Sequence, residues 1–178
     1  MNKEIFEKYY IYYFRHNLGG EYLAKTIYNG RFVASTEEGF VLFFIGMRIN
    51  KILSFSKWVP VFRAMGPMIK ELYQNPELGF IHTEFLLNWR GVTLIQYWKS
   101  FEDLEAYAHG KTHSVAWRSF NQKIKDDGSV GIFHETYIIE KGASEAIYNN
   151  MPKFGLSKAY SHIQVGSKTD SARNRISK

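Results

Sequence analysis

A chain of 178 residues suffices for one substantial core and falls short of two ordinary domains, and the absence of cysteine excludes disulfides, thiolate chemistry and Cys-ligated zinc or iron–sulfur centres. The net charge of +6 gathers at the ends: residues 1–31 carry +2, the last thirteen carry +3, and +1 is left for 32–165. A basic face of the kind a folded nucleic-acid module presents is therefore not expected. No charged-then-apolar leader opens the chain, and no stretch of about 18 apolar residues is long enough to span a bilayer. Cytoplasmic residence without a membrane partner is the expectation.

Residues 1–36 read as an aromatic N-terminal extension that packs on the domain, with Tyr9 to Phe14 followed by turn signals at Gly19-Gly20 and Asn29-Gly30. The regular part, residues 37–140, begins with Phe40 to Ile49, an apolar run of strand length that predicts burial of both faces. Trp58, Val61, Phe62, Met65, Ile69 and Leu72 then recur at three- and four-residue spacings, which predicts an amphipathic helix ending at Asn75-Pro76 and disturbed at Gly66-Pro67. Two strands follow, Thr83 to Trp89 and Val92 to Trp98, joined tightly through Arg90-Gly91. Ser100 ahead of Glu102 and Asp103 predicts an N-capped helix that stops at Gly110. Trp117, Phe120 and Ile124 form one stripe of a second helical segment, and Val130 to Ile139 is a fourth strand.

That order is the split βαβ arrangement of a ferredoxin-like α+β fold with an antiparallel four-stranded sheet. Helices cover one face of such a sheet, yet the strands are apolar on both, so a second copy is expected to close a dimeric α+β barrel around a small-molecule cavity. The alternative cover is residues 1–36 or 141–165 folding back. Residues 141–165 are read as an extension packing on the domain or its partner, and 166–178 as a disordered basic tail.

Chemistry-bearing residues are sparse. His134, inside the fourth strand, is a candidate general base or orienting donor, with a satisfied structural histidine as the alternative. His109 and His113 have the i, i+4 spacing of a metal pair, but Gly110 intervenes and no carboxylate lies at metal-site spacing, so no metal site is expected. His113 alone is a candidate proton shuttle or haem axial ligand. Gln96, Tyr97 and Trp98 end the third strand and offer polar tips on large bodies, as a mostly apolar ligand pocket uses. Arg48 is a candidate for binding an anionic or enolate oxygen, or half of a surface ion pair. Gly19 to Thr26 approaches a phosphate-binding loop, but Ala24 stands where the second glycine is required.

At Phe44 to Asn50, Trp58 to Phe62, Gln96 to Phe101, Val130 to Tyr137 and Ile147 to Leu156, the chain resembles a family grouped with the fumagillin-type monooxygenases, within the antibiotic-biosynthesis monooxygenase group. The resemblance covers about residues 30–160. It implies a homodimeric α+β barrel and, for some relatives, oxygenation of small aromatic or polyketide-like substrates without metal or flavin; others are haem-containing aldoxime dehydratases. In the cofactor-independent case the substrate's enolate reacts with oxygen, and the protein supplies a base, an oxyanion donor and a dry pocket. The chemistry of the residues assigns His134 or His113 as base and Arg48 as oxyanion stabiliser, with Phe44, Gln96, Tyr97, Trp98 and Trp117 lining the substrate. The expected function is thus a monooxygenase-like oxidoreductase with no cofactor; a haem lyase or haem-binding protein held through His113, and a non-catalytic ligand-binding dimer, are the alternatives.

Overall fold

The computed structural model describes residues 26–110, 114, 117, 118, 120, 122 and 127–176. Strand β1 (Tyr28–Val33) precedes β2 (Phe40–Ile49), which leads into α1 (Phe55–Gln74), β3 (Phe80–Asn88), β4 (Gly91–Trp98), α2 (Phe101–His109) and β5 (Val130–Ile139). The chain continues through β6 (Ile147–Met151), the single turn α3 (Leu156–Ala159), β7 (Ile163–Gln164) and the single turn α4 (Ala172–Arg175). β2 to β5 form an antiparallel sheet in the order β3-β4-β2-β5, which bears out the ferredoxin-like α+β reading.

α1 forms because Trp58, Phe62, Gly66, Ile69 and Leu72 make one buried stripe, and that packing outweighs the cost of Pro60 and Pro67 inside the helix. Its start is Phe55 rather than Trp58. α2 is capped as its sequence predicts, the Asp103 N–H donating to Ser100 Oγ at 3.1 Å. The β3–β4 turn is Trp89-Arg90 rather than Arg90-Gly91. Gly91 pairs with Arg48 inside the sheet, where a Cβ would lie 1.9 Å from the Met47 carbonyl oxygen, so no other residue permits this approach.

One face of the sheet packs on the helices through two adjoining clusters. Met47, Ile49, Val92, Leu94 and Val130 meet Trp58, Phe62 and Ile69; Val41, Phe80 and Trp98 meet Leu72 and Leu104. Trp98 is fully buried, and its indole N–H donates to Gln96 Oε1 at 3.0 Å. Trp98→Phe, which deletes that donor, is expected to cost about 1–2 kcal/mol, read as a lower urea midpoint at unchanged m.

The opposite face is shared. A second sheet, β6-β1-β7, and α3 cover the part around Phe40 and Tyr97 with Ala34, Tyr148 and Leu156. For this part the cover is folded back from both flanks, by β1 and by the stretch from β6 to β7. Phe44, Phe133 and Tyr137, farther along the same face, are left outside that cover, and Phe133 and Tyr137 are exposed. The segment after Gly166 departs from the disorder expected of it: Ser171 caps α4, and Arg175 pairs with Glu145 (Nε to Oε1, 2.7 Å) while donating to the Thr169 carbonyl. Its composition is polar, but Glu145 offers Arg175 a partly buried partner that a charge count along the chain does not see.

Candidate functional site

Strand alternation sorts the candidate residues before any distance is measured. On β4, Val92, Leu94, Gln96 and Trp98 face the helices, and Thr93, Ile95 and Tyr97 face away. The register then sets Phe43 between Gln96 on β4 and Thr136 on β5, with Ile45 opposite His134. The Phe43 and His134 rings are 5.7 Å apart. Gln96, Phe43, Thr136 and His134 therefore form a contiguous floor on the helix side of the sheet.

Gln96 is the most constrained polar group of that floor. Only 6% of it is exposed, and the bond from Trp98 to Oε1 fixes which way the amide points. Nε2 keeps two N–H donors with no acceptor among the described residues, and it is not sealed in, unlike the fully enclosed unpaired atoms Arg90 Nε, Ser129 Oγ and His162 Nε2. Tyr107 on α2 makes the neighbouring wall, its ring 5.6 Å from Trp98. Its hydroxyl donates to the Met68 carbonyl and to Glu71 Oε2, and burial, with Glu71 adding to it, pushes the phenol far above its usual range. Trp117 stacks on Phe120 at 5.4 Å, and Phe120 packs on the core around Met47. His134 itself is exposed, on the edge strand.

The remaining candidates fall elsewhere. Tyr97 lies on the opposite face, buried beneath α3, and burial raises its hydroxyl well above the usual range. Phe44 is on the same opposite face, edge-on to Tyr137 at 5.9 Å. Arg48 also points to that side and is exposed, so it does not share a pocket with His134. The physical reason is the two-residue period: assigning both Gln96 and Tyr97, or both His134 and Arg48, to one cavity conflicts with the pleat. His113 lies outside the described residues. Among the described residues no group of three or more His, Asp or Glu is placed to hold a metal ion.

The opposite face also holds a charged cluster that the sequence reading missed. Glu84 on β3 is buried, and its Oε1 accepts from the Gly155 N–H (2.9 Å) and Lys158 Nζ (3.1 Å) and lies 3.1 Å from His82 Nε2. Tyr73 Oη is 3.1 Å from His82 Nδ1. Burial alone would raise the carboxyl, but hydrogen bonds from His82, Gly155 and Lys158 hold it down to about 2. Gly155 reaches Glu84 with φ +55, and a Cβ there would sit 2.7 Å from the Tyr97 hydroxyl. Glu84 thereby clasps the turn before α3 onto the main sheet. The signal available in sequence was a lone carboxylate in the strand-like run Phe80 to Leu87, two residues after His82 and between the apolar pairs Phe80-Ile81 and Phe85-Leu86.

Residues 40–156 match the model of the monooxygenase af470-like family. The chain belongs to that family. This bears out the resemblance read from its segments, and the matched span holds Phe43, Glu84, Gln96, His134 and Gly155. A curated relative, monooxygenase af470 of Aspergillus fumigatus, is 30% identical over 143 residues, covering 73% of this chain and 49% of the relative. The chain thus spans about half the length of the curated relative it matches. Two solved aldoxime dehydratases share the fold at a TM-score of 0.59. One, crystallised with butyraldoxime, is 16% identical and covers 74% of this chain and 43% of its own. The other is 18% identical, with 72% and 42% covered.

Proposed function

We propose that this chain is a small-molecule monooxygenase that oxidises an apolar, enolisable substrate on the helix side of its sheet and works as a pair of copies. The observation that carries the reading is the Gln96 amide: on a buried side chain, oriented by Trp98, with its donors unspent next to Phe43, across whose ring His134 lies on β5. A donor of that kind is suited to an oxyanion that forms during reaction. His134 removes a proton from an activated C–H and Gln96 Nε2 donates to the enolate oxygen. The enolate then passes one electron to O2, and recombination of the two radicals forms a C–O bond. Loss of water from the resulting hydroperoxide leaves a carbonyl. One oxygen atom enters the product and the other leaves as water, with no external reductant. Phe43, Trp98, Tyr107 and Trp117 supply the apolar surroundings.

The pairing rests on the uncovered aromatic part of the opposite face, Phe44, Phe133 and Tyr137. The haem alternative rests on His113, outside the described residues, so no step is routed through haem.

The test is an absorption spectrum of the purified protein, mass spectrometry of any co-purifying molecule, and labelled-oxygen incorporation with a panel of enolisable aromatic ketones. Incorporation of one labelled atom per turnover without a Soret or flavin band is expected. A stoichiometric Soret band moves the chain to the haem reading, and tight ligand binding without oxygen uptake moves it to the non-catalytic one. Sedimentation showing a stable monomer at micromolar concentration removes the pairing.

A further inference from the structure

We propose that the end of the molecule bearing the β3–β4 turn and the β2–α1 loop docks on an anionic lipid surface. Two large apolar side chains protrude there, Leu53 at 80% exposure and Trp89 at 77%, with Ile52, Phe55 and Leu87 also exposed around them. Hydrogen bonds gather these segments at one end: the Ile49 N–H donates to the Arg90 carbonyl (2.6 Å), the Arg90 side chain through Nη2 to the Asn50 carbonyl, and the Asn50 N–H to the Ser129 carbonyl (3.0 Å).

Among the described residues, basic groups outnumber acids at this end. No Asp or Glu occurs between Glu38 and Glu71, or between Glu84 and Glu102, and these stretches supply Arg48, Lys51, Lys57 and Arg90. Asp127 enters the same end, where Lys57 pairs with it at 3.4 Å and Lys51 Nζ donates to its carbonyl (2.9 Å). α1 begins here too, without a side-chain cap from Ser54 and without an acid in its first turn, so its positive end adds to the field.

Apolar tips ringed by basic groups match an interface in which Trp and Leu enter the headgroup boundary while Lys and Arg meet anionic lipid. Protruding tips on two separate loops suit a fluid surface better than the flat, close-packed patch a second protein requires. Summing charge along the chain hid this end, because the compensating acids lie in other segments. The earlier expectation of no membrane partner rested on a spanning criterion. Among the described residues no helix is long and apolar enough to cross a membrane, and docking at a surface requires none.

The test is co-sedimentation of the full chain with phosphatidylcholine vesicles, with and without about 30 mol% phosphatidylserine. Binding to the anionic vesicles is expected, weakening as salt rises from about 0.1 to about 1 M. Leu53→Glu and Trp89→Glu are each expected to lower the apparent affinity about tenfold or more, with melting unchanged because both side chains are exposed. No binding to anionic vesicles, or variants that bind like the parent, overturns the proposal. A lipid-free oligomer that Leu53→Glu dissociates assigns this end to a second copy and overturns it as well.

Discussion

Gln96→Leu is expected to lower kcat about a hundredfold, the loss typical of removing one preorganised oxyanion donor. The side chain acts by position: the Trp98 indole occupies its oxygen, so only Nε2 is free to meet a developing negative charge. Leu preserves volume but removes donor and acceptor together, leaving the Trp98 N–H unpaired. Gln96→Glu is the sharper variant, because a carboxylate still accepts from Trp98 while presenting an acceptor where the donor stood. Both are expected to lose kcat with KM changed little, since the interaction strengthens as the enolate forms. Near-parental turnover in both would remove Gln96 from the reaction, and full turnover in both His134→Ala and His113→Ala would remove the histidines as base.

Glu84→Gln is expected to destabilise the fold by about 3 kcal/mol, a fall of roughly 10 °C in Tm for a chain of this size. The carboxyl sits at about 2 in the folded protein against an ordinary 4.5. The unfolded chain therefore takes up the proton first as pH falls. The stabilisation is fully present above about pH 4.5 and is lost as pH drops toward 2. Melting curves across that window should show the parent losing stability on acidification and Glu84→Gln following a flatter course. Equal slopes for the two proteins would mean that the clasp between β3 and the Gly155 turn contributes little.

The main sheet was legible because period and length agreed: a ten-residue apolar run, a 3.6-period stripe and a tight hairpin leave few arrangements besides the split βαβ. Gln96 and His134 were legible as polar residues inside apolar strands. What the sequence did not reveal was which side each one faced. Phe43 and Tyr107 were missed because an aromatic residue in a core run carries no chemical mark, and their place beside Gln96 comes from cross-strand register and helix packing. Arg48 was misgrouped with His134 because both look apt for an enolate, while the pleat sends them to opposite sides. The second sheet was hidden for a different reason: β1 pairs with strands more than a hundred residues away, and no local pattern encodes that pairing.

The place of β4 within the main sheet bears on how motion is distributed over the floor it shares with β5. Its amides and carbonyls are hydrogen-bonded to β2 on one side and β3 on the other, whereas β5 has one neighbour in that sheet and borders it. Backbone bonded on both edges opens only when most of the domain opens, while a border strand can separate by itself. The amide proposed to meet the developing charge is thus carried by the least yielding strand, and the imidazole proposed to move the proton by one free to breathe.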